Sequence, residues 1–204
     1  MSMTTTLIRE KGTGINNYQI YEVTMNTHTI KTLVTASPSQ VGQWLATNTR
    51  NPDHRPMIVG LDVERRLNTE PNPVATLHLC IGHNCLIFQI LHAPSIPRAF
   101  TSFLANPDFK FVGFGVQDDA DKLQRDYNLE VTNAVDLRPL VEQELNVLVL
   151  HTAGLAALGN FVLVGKPHYI TMSDWENRFL THDQVQYATI DAFLYSAIGR
   201  TLIR

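Results

Sequence analysis

The order of the predicted secondary-structure elements indicates an α/β fold, in which a mixed β-sheet is flanked by helices on both faces. Strand patterns come first as a meander and then alternate with helical patterns. Residues 57–61 form a nearly continuous apolar run, as expected for a central strand that is buried on both faces. These observations predict a single domain over residues 1–204, in which residues 1–36 form an N-terminal arm and the first hairpin.

The first elements are predicted from alternation and capping. Residues 18–23 and 29–34 alternate with a period of two around a short polar turn, which predicts a β-hairpin. Ser37 and Pro38 then provide an N-cap and a first helical turn. At the other end of the chain, Thr181 and Gln184 have the spacing of a capping box, which predicts a long helix over residues 183–202.

The remaining patterns complete the predicted order. They indicate strands at 74–81, 86–91, 109–114 and 130–135, helices at 96–104, 117–128, 138–145 and 152–158, and an irregular segment at 160–174.

Composition restricts the class of protein. The chain is 44% hydrophobic and 17% charged, which argues against disorder, and its formal net charge is −3. A tight, non-specific nucleic-acid binder would be more basic, whereas an enzyme with a metal-neutralised acidic site is compatible with this charge. The sequence contains no apolar run long enough for a signal peptide or a membrane span, and we predict Cys80 and Cys85 to be buried thiols. We therefore expect a soluble intracellular protein of the nucleus or cytoplasm, with no membrane partner.

Two carboxylates follow the central apolar run. Asp62 and Glu64 are two residues apart, so both leave the same face of a strand. Their mutual repulsion and desolvation would be relieved by a divalent cation, and oxygen ligands suit Mg²⁺ or Mn²⁺. The alternative is a strand end at which both acids are solvated beside Arg65 and Arg66.

Two further segments hold acids at informative spacings. Tyr187 and Asp191 are four residues apart, so they project from one face of the last helix, either as part of a site or as an ordinary surface pair. Asp118, Asp119 and Asp121 all fall near the start of a predicted helix, where the helix dipole favours negative charge. That explains at least two of these three acids and leaves one as a candidate metal ligand.

Taken in order, these segments resemble the three motifs of the DEDD superfamily of 3′–5′ exonucleases, with Tyr187 typical of the tyrosine subgroup. The Werner syndrome-type exonuclease domain is the nearer match and ribonuclease D the more distant one. The resemblance runs over residues 57–198 and includes residues 74–80 and 173–175 as flanking segments. It implies a ribonuclease H-like fold. In the second motif, the spacing from Gly115 selects Asp119.

The resemblance also implies a mechanism. Two divalent cations, Mg²⁺ or Mn²⁺, would be held by Asp62, Glu64, Asp119 and Asp191, while Tyr187 would orient the attacking water. The products would be nucleoside 5′-monophosphates released from the free 3′ end of a nucleic acid. We expect the four carboxylates, spread over the chain, to converge on one site.

Substrate contacts and activity are less determined. The family often has an aromatic residue directly after the first-motif glutamate, where this chain has Arg65. We consider Arg65, Arg66 and Lys122 as phosphate-binding candidates. The alternatives are a catalytically weak or inactive module of the same fold that binds nucleic acid or protein, and a nuclease that acts on RNA instead of DNA. Oligomeric state is open: the hairpin at 18–34 could act as a sheet edge or as another contact surface in a homo-oligomer.

Overall fold

The computed structural model describes residues 2–12, 17–50, 56–67, 70–146 and 168–203. The strands are β1 (Met3–Lys11), β2 (Tyr18–Met25), β3 (His28–Thr35), β4 (Met57–Glu64), β5 (Thr76–Ile81), β6 (Asn84–Phe88), β7 (Phe109–Gly113) and β8 (Ala134–Asp136). The helices are α1 (Pro38–Asn48), α2 (Arg98–Leu104), α3 (Val116–Tyr127), α4 (Leu137–Asn146), α5 (His168–Thr171) and α6 (His182–Leu202), with a 3₁₀ turn at Ile90–His92.

The eight strands of the described residues belong to one mixed sheet, in the order β1-β2-β3-β6-β5-β4-β7-β8. β4 lies inside the sheet, antiparallel to β5 and parallel to β7. One face packs against α1, α2 and α3, and the opposite face packs against α6. The predicted mixed sheet with helices on both faces is therefore confirmed.

The side chains of β4 divide between these two layers. Val59, Leu61 and Val63 enter the core beneath α1, α2 and α3. Because side chains alternate along a strand, Asp62 and Glu64 lie on the other face, where α6 packs. Both acids therefore lie on one face of β4, as predicted, and that face is covered by α6.

Helix capping follows the sequence prediction. The Ser37 hydroxyl accepts a hydrogen bond from the Gln40 amide at the start of α1. At α6, the Thr181 hydroxyl accepts from the Gln184 amide, and the Gln184 side chain accepts from the Thr181 amide. These bonds satisfy backbone donors that have no partner within the helix, so both helix starts are encoded locally.

Some elements differ from prediction. The N-terminal arm contains β1, which pairs with β2, and β3 pairs with β6, so the hairpin is not a sheet edge and that prediction is wrong. The strand predicted at 130–135 is confined to β8, and the one at 86–91 ends at Phe88. The predicted helix at 152–158 and residues 160–167 lie outside the described residues.

No helix in the described part of the chain is long and apolar enough to cross a membrane.

The cysteine prediction is half correct. Cys80 and Cys85 are both buried, but they face each other across the β5–β6 pair and form a disulfide, with their Cα atoms 4.2 Å apart. The prediction of two free thiols is therefore wrong. Both residues lie in cross-strand register, a relation that depends on how the hairpin pairs.

Candidate active site

The contact between β4 and α6 sets the position of the predicted acids. A Cβ atom on Gly60 would lie 1.9 Å from the Ala192 carbonyl oxygen, so only glycine lets the backbone of α6 rest on β4. Asp62 follows Gly60 by two residues along the strand, and Asp191 directly precedes Ala192 on the helix. The close approach therefore places the first and third predicted motifs at one interface.

Three of the predicted carboxylates are buried at or beside this interface. The exposed fractions are 3% for Asp62, 8% for Glu64 and 6% for Asp191. Buried carboxylates are rare without compensation, because desolvation strongly disfavours the charged form. Their oxygen donors are the type that Mg²⁺ and Mn²⁺ prefer. The donor chemistry and the burial of these three residues thus fit a divalent-cation site.

Asp62 has a histidine directly opposite it in the sheet. The β4–β5 register pairs Asp62 with His78, and His78 Nδ1 lies 3.5 Å from Asp62 Oδ2. On its other side, His78 Nε2 is 2.8 Å from the Thr76 hydroxyl. His78 was not among the predicted site residues. The signal available in the sequence was a single histidine within an otherwise apolar strand.

Tyr187 is joined to this region through Trp175. The two rings have centroids 6.0 Å apart, and the Trp175 ring is 5.7 Å from that of His78. Trp175 is itself buried, and its indole N–H donates to the Ile170 carbonyl at 3.1 Å. The Tyr187 hydroxyl oxygen is buried although the residue is only half-buried as a whole. An aromatic layer therefore connects α6 with the acid-bearing strands.

The second predicted motif begins at an unusual backbone position. Gly115 has φ of +75°, a conformation that favours glycine, and its amide donates to the Asp136 carboxylate at 3.2 Å. Arg138 in turn lies 3.1 Å from that carboxylate. The Gly115 carbonyl accepts hydrogen bonds from the Asp118 and Asp119 amides. This arrangement fixes the direction in which α3 begins.

The acids of α3 differ in exposure. Asp118 and Asp121 are exposed, whereas Asp119 is half-buried. The Gln117 side chain donates to Asp121 at 3.2 Å, a local contact within the helix. Asp119 is thus the most enclosed of the three, and its role as a ligand stays a prediction.

The basic candidates have different surroundings. Arg66 is exposed and lies 3.8 Å from Glu176, and Arg65 is half-buried with an enclosed Nε atom. Lys122 is buried and lies 3.1 Å from Asp126. Lys122 and Arg66 therefore each lie beside a carboxylate of the chain, and Arg65 and Arg66 directly follow the acidic strand end. Substrate contact stays a prediction for all three.

The convergence of all four carboxylates also stays a prediction. Across the described residues, no group of three or more His, Cys, Asp or Glu side chains is arranged as a ready-made ion site. What the structure does place together is the face of β4 that carries Asp62 and Glu64 and the helix that carries Tyr187 and Asp191.

Comparisons with known proteins agree with this architecture. A family model described as 3′–5′ exonuclease matches residues 46–202. The bifunctional 3′–5′ exonuclease/ATP-dependent helicase WRN of Mus musculus is 30% identical over 158 residues, which are 70% of this chain and 11% of that protein. This chain spans about half the length of the curated relatives that it matches, or less.

Solved structures show the same similarity. The EXD2 exonuclease domain soaked in Mn and GMP is 27% identical with a TM-score of 0.51, and the match covers 82% of this chain and 86% of that one. The catalytic core of RRP6 from Trypanosoma brucei shares the fold, with a TM-score of 0.66 at 16% identity over 89% of this chain and 48% of that one.

Proposed function

We propose, because this chain belongs to the 3′–5′ exonuclease family, that it removes nucleoside 5′-monophosphates stepwise from the 3′ end of a nucleic acid. The observation that carries this proposal is the burial of Asp62, Glu64 and Asp191 where α6 packs on β4. These three carboxylates supply the oxygen donors that a divalent cation of the Mg²⁺ or Mn²⁺ type prefers. The similar EXD2 domain was soaked with Mn and GMP, a metal and a mononucleotide of the classes proposed here.

The residues that would hold the metal are the four predicted carboxylates, Asp62, Glu64, Asp119 and Asp191, with two divalent cations as the expected complement. When bound, such cations neutralise charge on the phosphate and activate a water molecule. A set of oxygen donors without cysteine favours Mg²⁺ or Mn²⁺ over softer metals.

The chain's own residues would bind and orient the reacting groups. The Tyr187 hydroxyl would orient the attacking water by a hydrogen bond. As the water oxygen bonds to phosphorus, the bond from phosphorus to the 3′ oxygen of the shortened strand breaks, and that oxygen takes up a proton. Arg65 and Arg66 would contact backbone phosphates, because guanidinium groups match phosphate oxygens in pairs.

The test is a degradation assay with strands labelled at either end. Single-stranded DNA, duplex DNA with a recessed 3′ end and single-stranded RNA are incubated with Mg²⁺, Mn²⁺ or a chelator. We expect stepwise shortening from the 3′ end, release of 5′-monophosphates and complete arrest by the chelator. The RNA and DNA arms determine which nucleic acid is the substrate.

Two variants sharpen the assay. Asp62→Ala is expected to abolish shortening, whereas Asp121→Ala, which removes an exposed acid of α3, is expected to retain it. Intact substrate under every metal condition would contradict the proposal. Binding without cleavage, measured by fluorescence anisotropy, would instead favour the non-catalytic module.

A further inference from the structure

We propose that His78 is a positioning residue, which holds the Asp62 carboxylate in the orientation needed to bind a divalent cation. This inference rests on the proposed function and assigns a role to a residue outside the exonuclease motifs. It is based on the place of His78 in the sheet, on its two polar neighbours and on the ring that packs beside it.

The sheet register fixes His78 beside Asp62. The two residues are direct cross-strand partners in the antiparallel β4–β5 pair, so their side chains leave the same face of the sheet. His78 is fully buried and Asp62 nearly so. In this buried setting an imidazole N–H opposite a carboxylate acts with little screening by water.

The polar neighbours of the ring indicate which imidazole nitrogen carries the proton. A neutral imidazole has one donor and one acceptor nitrogen. The carboxylate oxygen 3.5 Å from Nδ1 favours a proton on that atom, since Asp62 can only accept when ionised. Nε2 then accepts from the Thr76 hydroxyl, which is 2.8 Å away. Thr76 thus orients His78 and His78 orients Asp62.

Packing restricts the ring to this orientation. The Trp175 ring lies 5.7 Å from the His78 ring, and Trp175 is anchored by its hydrogen bond to the Ile170 carbonyl. The Nδ1–Oδ2 separation of 3.5 Å is longer than the about 2.7–3.2 Å typical of N–H···O bonds. The contact is therefore electrostatic, and it limits rotation of the Asp62 carboxylate about its terminal bond.

Partners of a ligating carboxylate influence metal affinity as well as rate. Removing such an outer partner typically lowers metal affinity or activity by about 10–100-fold. A residue that only supports folding would lower the melting temperature and leave the affinity of the folded protein for the metal unchanged. Metal affinity and stability therefore distinguish the two roles.

The experiment measures Mn²⁺ binding to the metal-free full chain by titration calorimetry, alongside the melting temperature and the rate of strand shortening. His78→Leu is expected to weaken Mn²⁺ binding by about 10–100-fold and to lower kcat more than it raises KM for nucleic acid. His78→Gln, which retains a donor and an acceptor, is expected to restore most of the affinity. Thr76→Val, which removes only the hydroxyl, is expected to have an intermediate effect.

The matched control is Thr32→Val. The Thr32 hydroxyl makes a buried 2.9 Å hydrogen bond to Thr189 between the sheet and α6, so its loss lowers stability without touching the acids. We expect this variant to keep wild-type Mn²⁺ affinity.

The outcomes separate this inference from the proposed function. Wild-type Mn²⁺ affinity in folded His78→Leu, with only a lower melting temperature, would overturn it. If that variant does not fold, unchanged affinity in Thr76→Val would overturn it instead. A wild-type protein that neither binds Mn²⁺ nor shortens any strand would overturn the proposed function and this inference together.

Discussion

Two regions of the molecule carry predicted site carboxylates, and they differ in the surroundings of these acids. Where α6 packs on β4, Asp62 and Asp191 are buried in a contact that the glycine at position 60 makes possible. In the first turn of α3, Asp118 is exposed and next to helix amides that favour negative charge. The acids of the first region lie inside a packed contact, whereas those of the second are favoured by the dipole of their own helix.

This difference shows how function can be inferred from acids. An exposed acid at a helix start has a sufficient structural explanation, so its presence indicates little about chemistry. A buried acid lies where folding alone would favour an apolar residue. Substitutions in the two regions are therefore expected to differ, and the largest effect is expected at the buried acids.

The strongest test replaces a buried acid without changing its shape. We expect Asp191→Asn to slow strand shortening by about 10³-fold, because the loss of a charged ligand removes several kcal/mol of transition-state stabilisation. Its free energy of unfolding, measured in urea, separates a loss of rate from a loss of folded protein. Asp183→Asn, an exposed acid in the first turn of the same helix, serves as the control and is expected to leave the rate unchanged. A loss below tenfold in Asp191→Asn would argue against a ligand role.

The second test addresses the close contact itself. Gly60→Ala is expected to lower the free energy of unfolding by about 3 kcal/mol or more, because the new methyl group would overlap the Ala192 carbonyl. Gly42→Ala is the control, since a Cβ there has no neighbour within 4 Å, and helix propensity predicts stabilisation by about 0.5–1 kcal/mol. Urea unfolding curves measure both. Equal stability of Gly60→Ala and the wild type would show that α6 does not rest on β4 at this point.

The third test separates two adjacent acids in the second region. We expect Asp119→Asn to slow shortening by about 10–100-fold, whereas Asp118→Asn should stay within about twofold of the wild type. Both substitutions remove one charge from the first turn of α3, so their effects on stability should match, at about 0.3–1 kcal/mol each. If Asp118→Asn were the slower variant, the selection of Asp119 by motif spacing would be wrong.

The smallest effect concerns a group remote from the proposed chemistry. Burial, with a smaller contribution from Asp126, raises the pKa of Tyr127 to about 12. The Tyr127 hydroxyl donates to the Val74 carbonyl at 2.5 Å, so the folded state keeps a proton that the unfolded chain releases near pH 10. The stability that this phenol contributes is complete below about pH 10 and is lost as the pH rises towards about 12.

The corresponding measurement compares the wild type with Tyr127→Phe in urea at pH 8, 10 and 11. Near pH 8 the variant should be less stable by about 1 kcal/mol, the usual contribution of one hydrogen bond. The difference should shrink as the pH rises, because only the wild type has a phenol to ionise. A difference that stays constant with pH would contradict the raised pKa.

Much of this architecture could be predicted from the sequence. The membership of the 3′–5′ exonuclease family and the ribonuclease H-like fold follow from ordered motifs at characteristic intervals, and both are confirmed. The starts of α1 and α6 could also be predicted, because each capping bond joins two residues that are only three positions apart in the sequence.

Local sequence patterns did not predict three other features, which are a strand, a disulfide and a cross-strand contact. β1 was missed because its nine residues, which include three consecutive threonines and a charged end, show no regular apolar–polar alternation, and they gain their partners only by pairing with β2. The Cys80–Cys85 disulfide and the contact between His78 and Asp62 both depend on strand register. Gly82 lies between the two cysteines and indicates a turn that brings them onto neighbouring strands, but their direct opposition, like that of His78 and Asp62, is set only when the strands are aligned.

By itself, the sequence determined most of the described strands and helices and that Asp62 and Glu64 share one strand face, because these follow from periodicity and capping over a few residues. Only the tertiary structure decided that α6 rests on β4 at Gly60, that three of the acids become buried and that His78 faces Asp62. The reason is physical: burial and cross-strand contact arise from packing between segments far apart in the chain, and no short stretch of sequence contains both partners.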